Sequence, residues 1–590
     1  MKSCRSLSPV VALTLVLAVP ALAVEPDAPD RLIGAEEGVT ILVRQALTGE
    51  DRGLAAQDKD DRAALAQFYV DNAGHLLWVG KTGLTLRSAA LITEIKRADD
   101  WGLAAKDFDL PDMVVAAEGA AELPAASLAE AERKLSLAVL KYARLARGGR
   151  IADPTSELSS YIDRKPELLD PKTVIEEIAK SAEPDAYLRS LHPQHPQFER
   201  LRQKLVELRG GTAELEAVVE VPPTGPMLSP GKSHPDVAAV RKRLGVAPAE
   251  VDGSPGPEDY YDNALASAVK EFQRGKGLTP DGYIGRGTRA AFAVDGPRKT
   301  DQAQILANME AWRWMPRELG DLHVWVNIPE FTLRVVKNGE VVHSERVITG
   351  KPQTQTPIFS DEMETVVFHP FWGVPDSIKV KELLPSLARG SDLSRQGLRV
   401  QRNGRDVDPG SVDWSTADIR NFHVYQPPGG GNVLGVVKFM FPNKHQVYMH
   451  DTPTKNLFNT SQRTYSHGCM RVRDPVRLAE VLLAEDKGWG EDQVGRLVKG
   501  GPQNNNITLD RKVPVHVTYF TTWVDENGEL KSARDVYGHE KRIQLALEGK
   551  PHLIARHRDH LAPVAYQRPR VVVQKEAPGF NFFSALFGGF

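Results

Sequence analysis

The sequence predicts a multidomain α+β protein: a helical first part, a small three-helix unit, and a β-rich last part with a long insertion. Three observations lead there. At 590 residues the chain exceeds what one hydrophobic core serves. Apolar residues recur at helical spacing through Leu86–Ala98, Leu128–Ala146 and Val174–Ala182. From His323 onward the texture changes to short alternating runs separated by turns.

In chain order, Lys2 and Arg5 precede an apolar run from Val10 to Val19 and then Ala21-Leu22-Ala23. That is the pattern of an export signal cleaved after Ala23, residues 1–23. Its apolar run is shorter than the roughly 20 residues that span a bilayer, which disfavours a membrane anchor. The mature chain is expected to be exported and soluble, with no stable membrane insertion. The net charge of -3 gives no sign of a nucleic-acid partner. Of the 2 cysteines, Cys4 leaves with the signal, so Cys469 has no partner in the mature chain. An unpaired cysteine in an exported protein is a reactive thiol, an intermolecular bridge, or a buried structural residue. The polar neighbours His467 and Arg471 argue against the last.

Residues 24–220 are expected to form a helical domain, with a short hairpin of Phe68-Tyr69 and Leu76-Leu77-Trp78 around Asn72-Ala73-Gly74. Residues 221–234, rich in Pro and Gly, predict a linker. Residues 235–294 predict three helices: Asp236–Leu244, Ala264–Arg274, and Thr288–Phe292 capped by Thr288, with a turn at Asp281-Gly282. Residues 295–540 hold the strands Val324–Ile328, Phe331–Val336, Val341–Val347, Val366–Phe368 and Val436–Phe441. An insertion at about 376–431, with a helix at Lys379–Leu387, is a lid or a peripheral ornament. The tail, 541–590, is basic and then Phe/Gly-rich; it docks, touches a membrane or is disordered.

The chemistry concentrates at His450-Asp451-Thr452-Pro453 and Ser466-His467-Gly468-Cys469-Met470-Arg471-Val472. A thiol and two imidazoles close in sequence suffice for a cysteine nucleophile and its base. Gly468 permits a sharp turn that would aim the N–H groups of Gly468 and Cys469 at one point, as an oxyanion hole needs. Val447-Tyr448-Met449 reads as a strand, so His450 sits at a strand end. Asp474-Pro475 starts a helix whose Leu478, Val481 and Leu482 face the core. Asp451 or a backbone carbonyl orients the imidazole, and Arg471 fixes a substrate carboxylate or braces the loop. A zinc peptidase with His450, Asp451, His467 and Cys469 as ligands has suitable residue types, but His-x-Cys is poor spacing for a tetrahedral site.

Asn308 to Pro316, Val326-Asn327-Ile328-Pro329, Thr356-Pro357 and the two site motifs together resemble the L,D-transpeptidases with a YkuD-type catalytic domain, in particular the YcbB-like periplasmic subfamily. Residues 235–294, with Phe272-Gln273, Gly277-Leu278, Asp281-Gly282, Ile284-Gly285 and Thr288 in register, resemble the small peptidoglycan-binding domain. The resemblance implies a helical scaffold, a wall-binding module and a β-rich catalytic domain with a lid, in that order. It implies peptidoglycan as partner, with tetrapeptide donor and acceptor stems, and no metal or cofactor. Cys469 would attack the bond to the donor's terminal D-alanine, His450 would be base, His467 would support, and carbapenems would acylate the thiol. A cysteine-dependent L,D-carboxypeptidase and a non-catalytic wall-binding protein are the alternatives, since the acceptor decides between the first two.

Overall fold

The computed structural model describes residues 37–566 except 50–52, 116, 118, 211–220, 252–253, 293–298, 392 and 556–557. The expected export signal with Cys4 and the terminal Phe580–Phe590 run lie outside the described residues. The chain divides into two units, one holding residues up to 92, 109–140 and 170–187, the other holding 93–108, 141–169 and 188 onward.

The first unit is helical. Phe68 and Tyr69, expected in a hairpin, lie instead in the helix Ala56–Asp71. Asn72-Ala73-Gly74 closes that helix: Ala73 and Gly74 have φ of 51° and 78°, and the Gly74 N–H donates to the Tyr69 carbonyl at 2.9 Å. The same residues that suit a tight turn suit a left-handed helix end, and the long helical run before them decides. Glu132 is fully buried and accepts from the backbone N–H groups of Leu77 (2.6 Å) and Trp78 (2.9 Å) and from the Tyr69 hydroxyl (2.6 Å). Paired this way, a buried carboxylate holds the segment in place.

In the second unit, the helices Pro235–Leu244, Asn263–Gly275 and Arg286–Phe292 form the expected three-helix module. Gln273 is its buried polar centre. Its amide nitrogen donates to Asp281 (2.9 Å), the Tyr283 carbonyl (2.9 Å) and Thr288 (3.1 Å), and its oxygen accepts from Gly282 N–H at 2.8 Å. Thr288 is therefore a buried partner within the third helix and not its cap. The Pro/Gly-rich segment before the module is no free linker. Val221 and Leu228 are buried in the module's core, and the Arg289 guanidinium binds the carbonyls of Pro222 and Pro226. Proline and glycine predicted turns there, and turns do not exclude packing.

A nine-stranded sheet follows: β1 (Leu322–Asn327), β2 (Thr332–Lys337), β3 (Glu340–Gly350), β4 (Phe359–Phe368), β5 (Val437–Met440), β6 (Met449–His450), β7 (Thr464–Ser466), β8 (Met470–Val472) and β9 (Asn505–Thr518). Its order is β7-β3-β8-β6-β5-β4-β9-β1-β2, and β2 also pairs with β3, so the sheet closes on itself. Val324, Val326, Leu333, Val366, Phe439 and Val515 fill the interior. The helix Pro475–Lys487, with Asp474 accepting from Arg477 N–H at 3.1 Å as its N-cap, packs Leu478, Leu482 and Leu483 into the same core. Asn308 accepts from the N–H groups of Thr521 (2.9 Å) and Thr522 (3.2 Å), tying the helix Lys299–Trp312 to the chain just past β9.

The insertion between β4 and β5 has a core of its own, including Trp372, Leu383, Leu384, Val400, Phe422 and Val424. Four short strands, Trp372–Gly373, Arg399–Arg402, Arg405–Val407 and His423–Gln426, make its sheet. The expected helix is a broken one: Asp376–Ile378, a π-helical turn at Lys379–Leu383, then Leu384–Leu387. Part of the tail docks on this insertion. Val564 and Tyr566 pack against its core, and the Tyr566 hydroxyl donates to the Ala417 carbonyl at 3.0 Å.

Candidate active site

Three strands build the site. β6 and β8 run parallel, with Met449 opposite Met470 and His450 opposite Arg471. On the other side of β6, antiparallel β5 places Lys438 opposite His450. Side chains alternate along a strand, so Lys438, His450 and Arg471 form one row on one face. Tyr448 and Cys469, each two residues before a member of that row, share the face.

Cys469 is a free, partly buried thiol. Its sulfur is hydrogen-bonded to the Tyr448 hydroxyl, which is bonded in turn to Trp372 of the insertion. The Tyr448 ring lies under the Lys438 ammonium at 3.9 Å and edge-on to the His450 ring at 5.7 Å. The turn before Cys469 requires glycine, because Gly468 has φ 120°. Ser466 closes this turn from both ends: its hydroxyl donates to the Cys469 carbonyl at 2.6 Å and accepts from Gly468 N–H at 3.2 Å. Thr356 fixes it from outside, donating to the Gly468 carbonyl at 2.8 Å. The two N–H groups therefore do not converge as expected. Gly468 N–H turns inward to the serine two residues back, a local competition typical of serine.

His450 is buried, and its Nδ1 bonds the Asp451 carbonyl at 2.5 Å. With Nδ1–H donating to that carbonyl, the neutral ring keeps its lone pair on Nε2. The Asp451 carboxylate faces elsewhere. It accepts from Thr452 N–H (2.7 Å), Lys455 Nζ (2.6 Å) and Val436 N–H (3.0 Å). So the backbone orients the imidazole, while the carboxylate anchors the loop. His467 does not join the row. Its Nε2 lies 2.6 Å from an oxygen of Glu382, which the insertion supplies.

Burial sets the electrostatics. It pushes the Cys469 thiol up, against the lowering influence of Tyr448, Lys438 and Arg471. It holds His450 down to about 3, with the Arg471 guanidinium adding to the effect. Arg471, 3% exposed, is brought down to about 10 by the same desolvation. At rest the thiol and the imidazole, on one face of the sheet, are both neutral. Among the described residues, no group of three or more His, Cys, Asp or Glu is placed to hold a metal ion, and no helix is long and apolar enough to cross a membrane.

Sequence reasoning missed Tyr448, Lys438 and Glu382. Lys438 carried a signal, a lone cation inside an apolar strand. Tyr448 passed as strand filler, and nothing in the sequence ties Glu382 to a histidine 85 positions on.

Residues 321–500 match the L,D-transpeptidase catalytic domain (YkuD), 233–292 the "Putative peptidoglycan binding domain", and 63–205 the scaffold domain. A "Putative L,D-transpeptidase" of Haemophilus influenzae is 32% identical over 299 residues, 49% of this chain. The match spans 60% of that relative's length. Among solved structures, an L,D-transpeptidase from Mycobacterium smegmatis covers 34% of this chain and 58% of its own at 14% identity, with a TM-score of 0.15. One from Xylanimonas cellulosilytica covers 50% of this chain and 100% of its own at 17% identity, also at 0.15.

Proposed function

On the premise that this chain carries a YkuD L,D-transpeptidase catalytic domain and a peptidoglycan-binding domain, we propose that it cross-links peptidoglycan stem peptides in the periplasm through a thioester on Cys469. The donor is a tetrapeptide stem that loses its terminal D-alanine, and the acceptor is the side-chain amine of a second stem. In this division of labour residues 24–220 are scaffold, 235–294 hold the wall, 295–540 carry the chemistry under a lid at about 376–431, and 541–590 form the tail.

The observation that carries this is the row Lys438–His450–Arg471 beside Tyr448 and Cys469. His450 Nε2 takes the thiol proton as sulfur attacks the donor carbonyl, then returns it to the leaving D-alanine amine. At rest that transfer is uphill, since burial and the cations Arg471, Lys438 and Lys455 oppose an imidazolium. A donor bearing its terminal carboxylate supplies the missing anion. Placed near Lys438 and Arg471, it cancels the field that opposes protonation of His450. The base thus gains strength when substrate arrives and not before. Ser466 and Gly468 hold the cysteine turn, Asp451 holds the imidazole through its carbonyl, and His467 supports from the insertion side.

The test is intact-mass analysis after exposure to a carbapenem, which acylates a nucleophile of this kind. One adduct on the wild type and none on Cys469→Ala is expected. No adduct, or one that survives in Cys469→Ala, would refute the assignment.

A further inference from the structure

Glu382 stands out because it belongs to the insertion yet reaches the cysteine motif. It sits in the π-helical turn Lys379–Leu383. Pro385 follows, and without an N–H it cannot donate to the Lys381 carbonyl as a regular helix would require. Such widened turns occur often at functional sites. Their position is fixed here by the packing of Val380, Leu383 and Leu384 into the insertion's core and by Lys379 Nζ donating to the Phe422 carbonyl at 3.0 Å.

One oxygen of Glu382 accepts from His467 Nε2 at 2.6 Å. With Nε2–H donating, the neutral ring keeps a lone pair on Nδ1. Both that Nδ1 and the second oxygen, Oε2, are buried without a hydrogen-bond partner. Buried polar atoms left this way call for a partner that is not part of the protein. Two acceptors and no donor remain at His467 and Glu382, and His467 stands two residues before the nucleophile in the sequence. A stem's peptide N–H offers one donor, and an alkylammonium offers three.

We infer that Glu382 binds the acceptor: it docks the ammonium of the incoming stem and takes its proton, so that the thioester passes to an amine and not to water. This rests on the thioester chemistry proposed above. An alkylammonium has a pKa of about 10.4, so at neutrality roughly one molecule in a thousand carries a free lone pair. The Glu382 Oε2, a buried acceptor without a partner, is the group placed to take that proton as the nitrogen attacks. The ammonium gives one proton to Glu382. The freed nitrogen attacks the thioester carbonyl, the C–N bond forms and the C–S bond breaks. Sulfur leaves as thiolate and takes the second amine proton through His450, and Glu382 returns its proton to solvent.

Glu382→Gln is the decisive variant, since the glutamine oxygen still accepts from His467 while the charge and the second acceptor are lost. Full-length protein is given tetrapeptide donor and amine-bearing acceptor stems, and mass spectrometry reads the ratio of cross-linked to hydrolysed product. Carbapenem adduct formation, read separately, reports the donor half-reaction. Adduct formation within about threefold of wild type is expected, with the product ratio down tenfold or more. Raising the pH towards the amine pKa of about 10 should recover the ratio, because solvent then supplies free amine. An unchanged ratio in Glu382→Gln would make the contact a mere latch for the insertion. A loss of adduct formation as large as the loss in ratio would place Glu382 in acylation and overturn the inference. A wild type that forms no adduct would remove the thioester chemistry itself, and the inference with it.

Discussion

Replacing His450 with alanine should separate the two imidazoles and test the electrostatics of the site. Burial and the neighbouring Arg471 hold His450 down to about 3, and burial raises the Cys469 thiol. In the wild type, the base is thus neutral across the ordinary pH range. The rate of carbapenem acylation should stay flat down to about pH 4, where an unperturbed histidine, with a pKa of about 6.5, would already be almost wholly protonated and inactive. In His450→Ala the proton must leave to solvent. The rate near neutrality should fall about a hundredfold or more, the usual scale for general-base catalysis. It should then climb about tenfold per pH unit as thiolate accumulates, and keep climbing past the ordinary thiol pKa of about 8.5 because burial raises it. His467→Ala should show a smaller loss and the flat wild-type profile, since its ring engages Glu382 and not the row beside the sulfur. The assay is acylation rate against pH, followed by intact mass. A His450→Ala profile as flat as wild type, or alkaline rescue confined to His467→Ala, would show that the roles are reversed.

Cys469→Ser should abolish transfer while leaving the melting temperature within a few degrees, because the two side chains are nearly isosteric and the thioester needs sulfur; retained cross-linking would count against the nucleophile. Removing the wall-binding module together with its packed leader, residues 221–292, should weaken binding to sacculi more than it slows turnover of small soluble stems, since a tethered module raises local concentration without touching the chemistry; equal losses would make it a structural brace. Gly435→Ala should destabilise the protein by about 2 kcal/mol, read by denaturant unfolding. Gly435 has φ 58°, and a Cβ there would collide with the Asp451 carboxylate that anchors the His450 loop. Unchanged stability would show that the loop adapts freely.

Much of this organisation is legible in the sequence because local rules and tertiary packing agree. The helical stretches, the three-helix module and the strands at Val324–Ile328 and Phe331–Val336 follow from periodicity and turn residues, and they match to within a few positions. The break at Lys379–Leu383 and the Asn72-Ala73-Gly74 helix end were hidden because the same residue types serve turns, caps and widened helices. β9, the fourteen-residue strand Asn505–Thr518, escaped for a different reason. Its pairing with β4 shifts register between Thr508 and Val513, and Asp510, Arg511 and Lys512 at that irregularity break the alternation. At the site, the sharp turn before Cys469 followed from Gly468, but adjacent residues left Asp451 and a backbone carbonyl both open behind His450 and suggested converging N–H groups that Ser466 prevents. Lys438, Tyr448 and Glu382 did not, because strand register and an insertion with a core of its own bring them there.

In the proposed reaction, Cys469 passes a stem peptide from D-alanine to an amine. Mass spectrometry of stem peptides incubated with the purified full-length protein reads that transfer. A cross-linked dimer one D-alanine lighter than its two stems, matched by free D-alanine and absent with Cys469→Ala, is the expected result. Stems recovered intact, or a dimer that forms equally well without the cysteine, would contradict it.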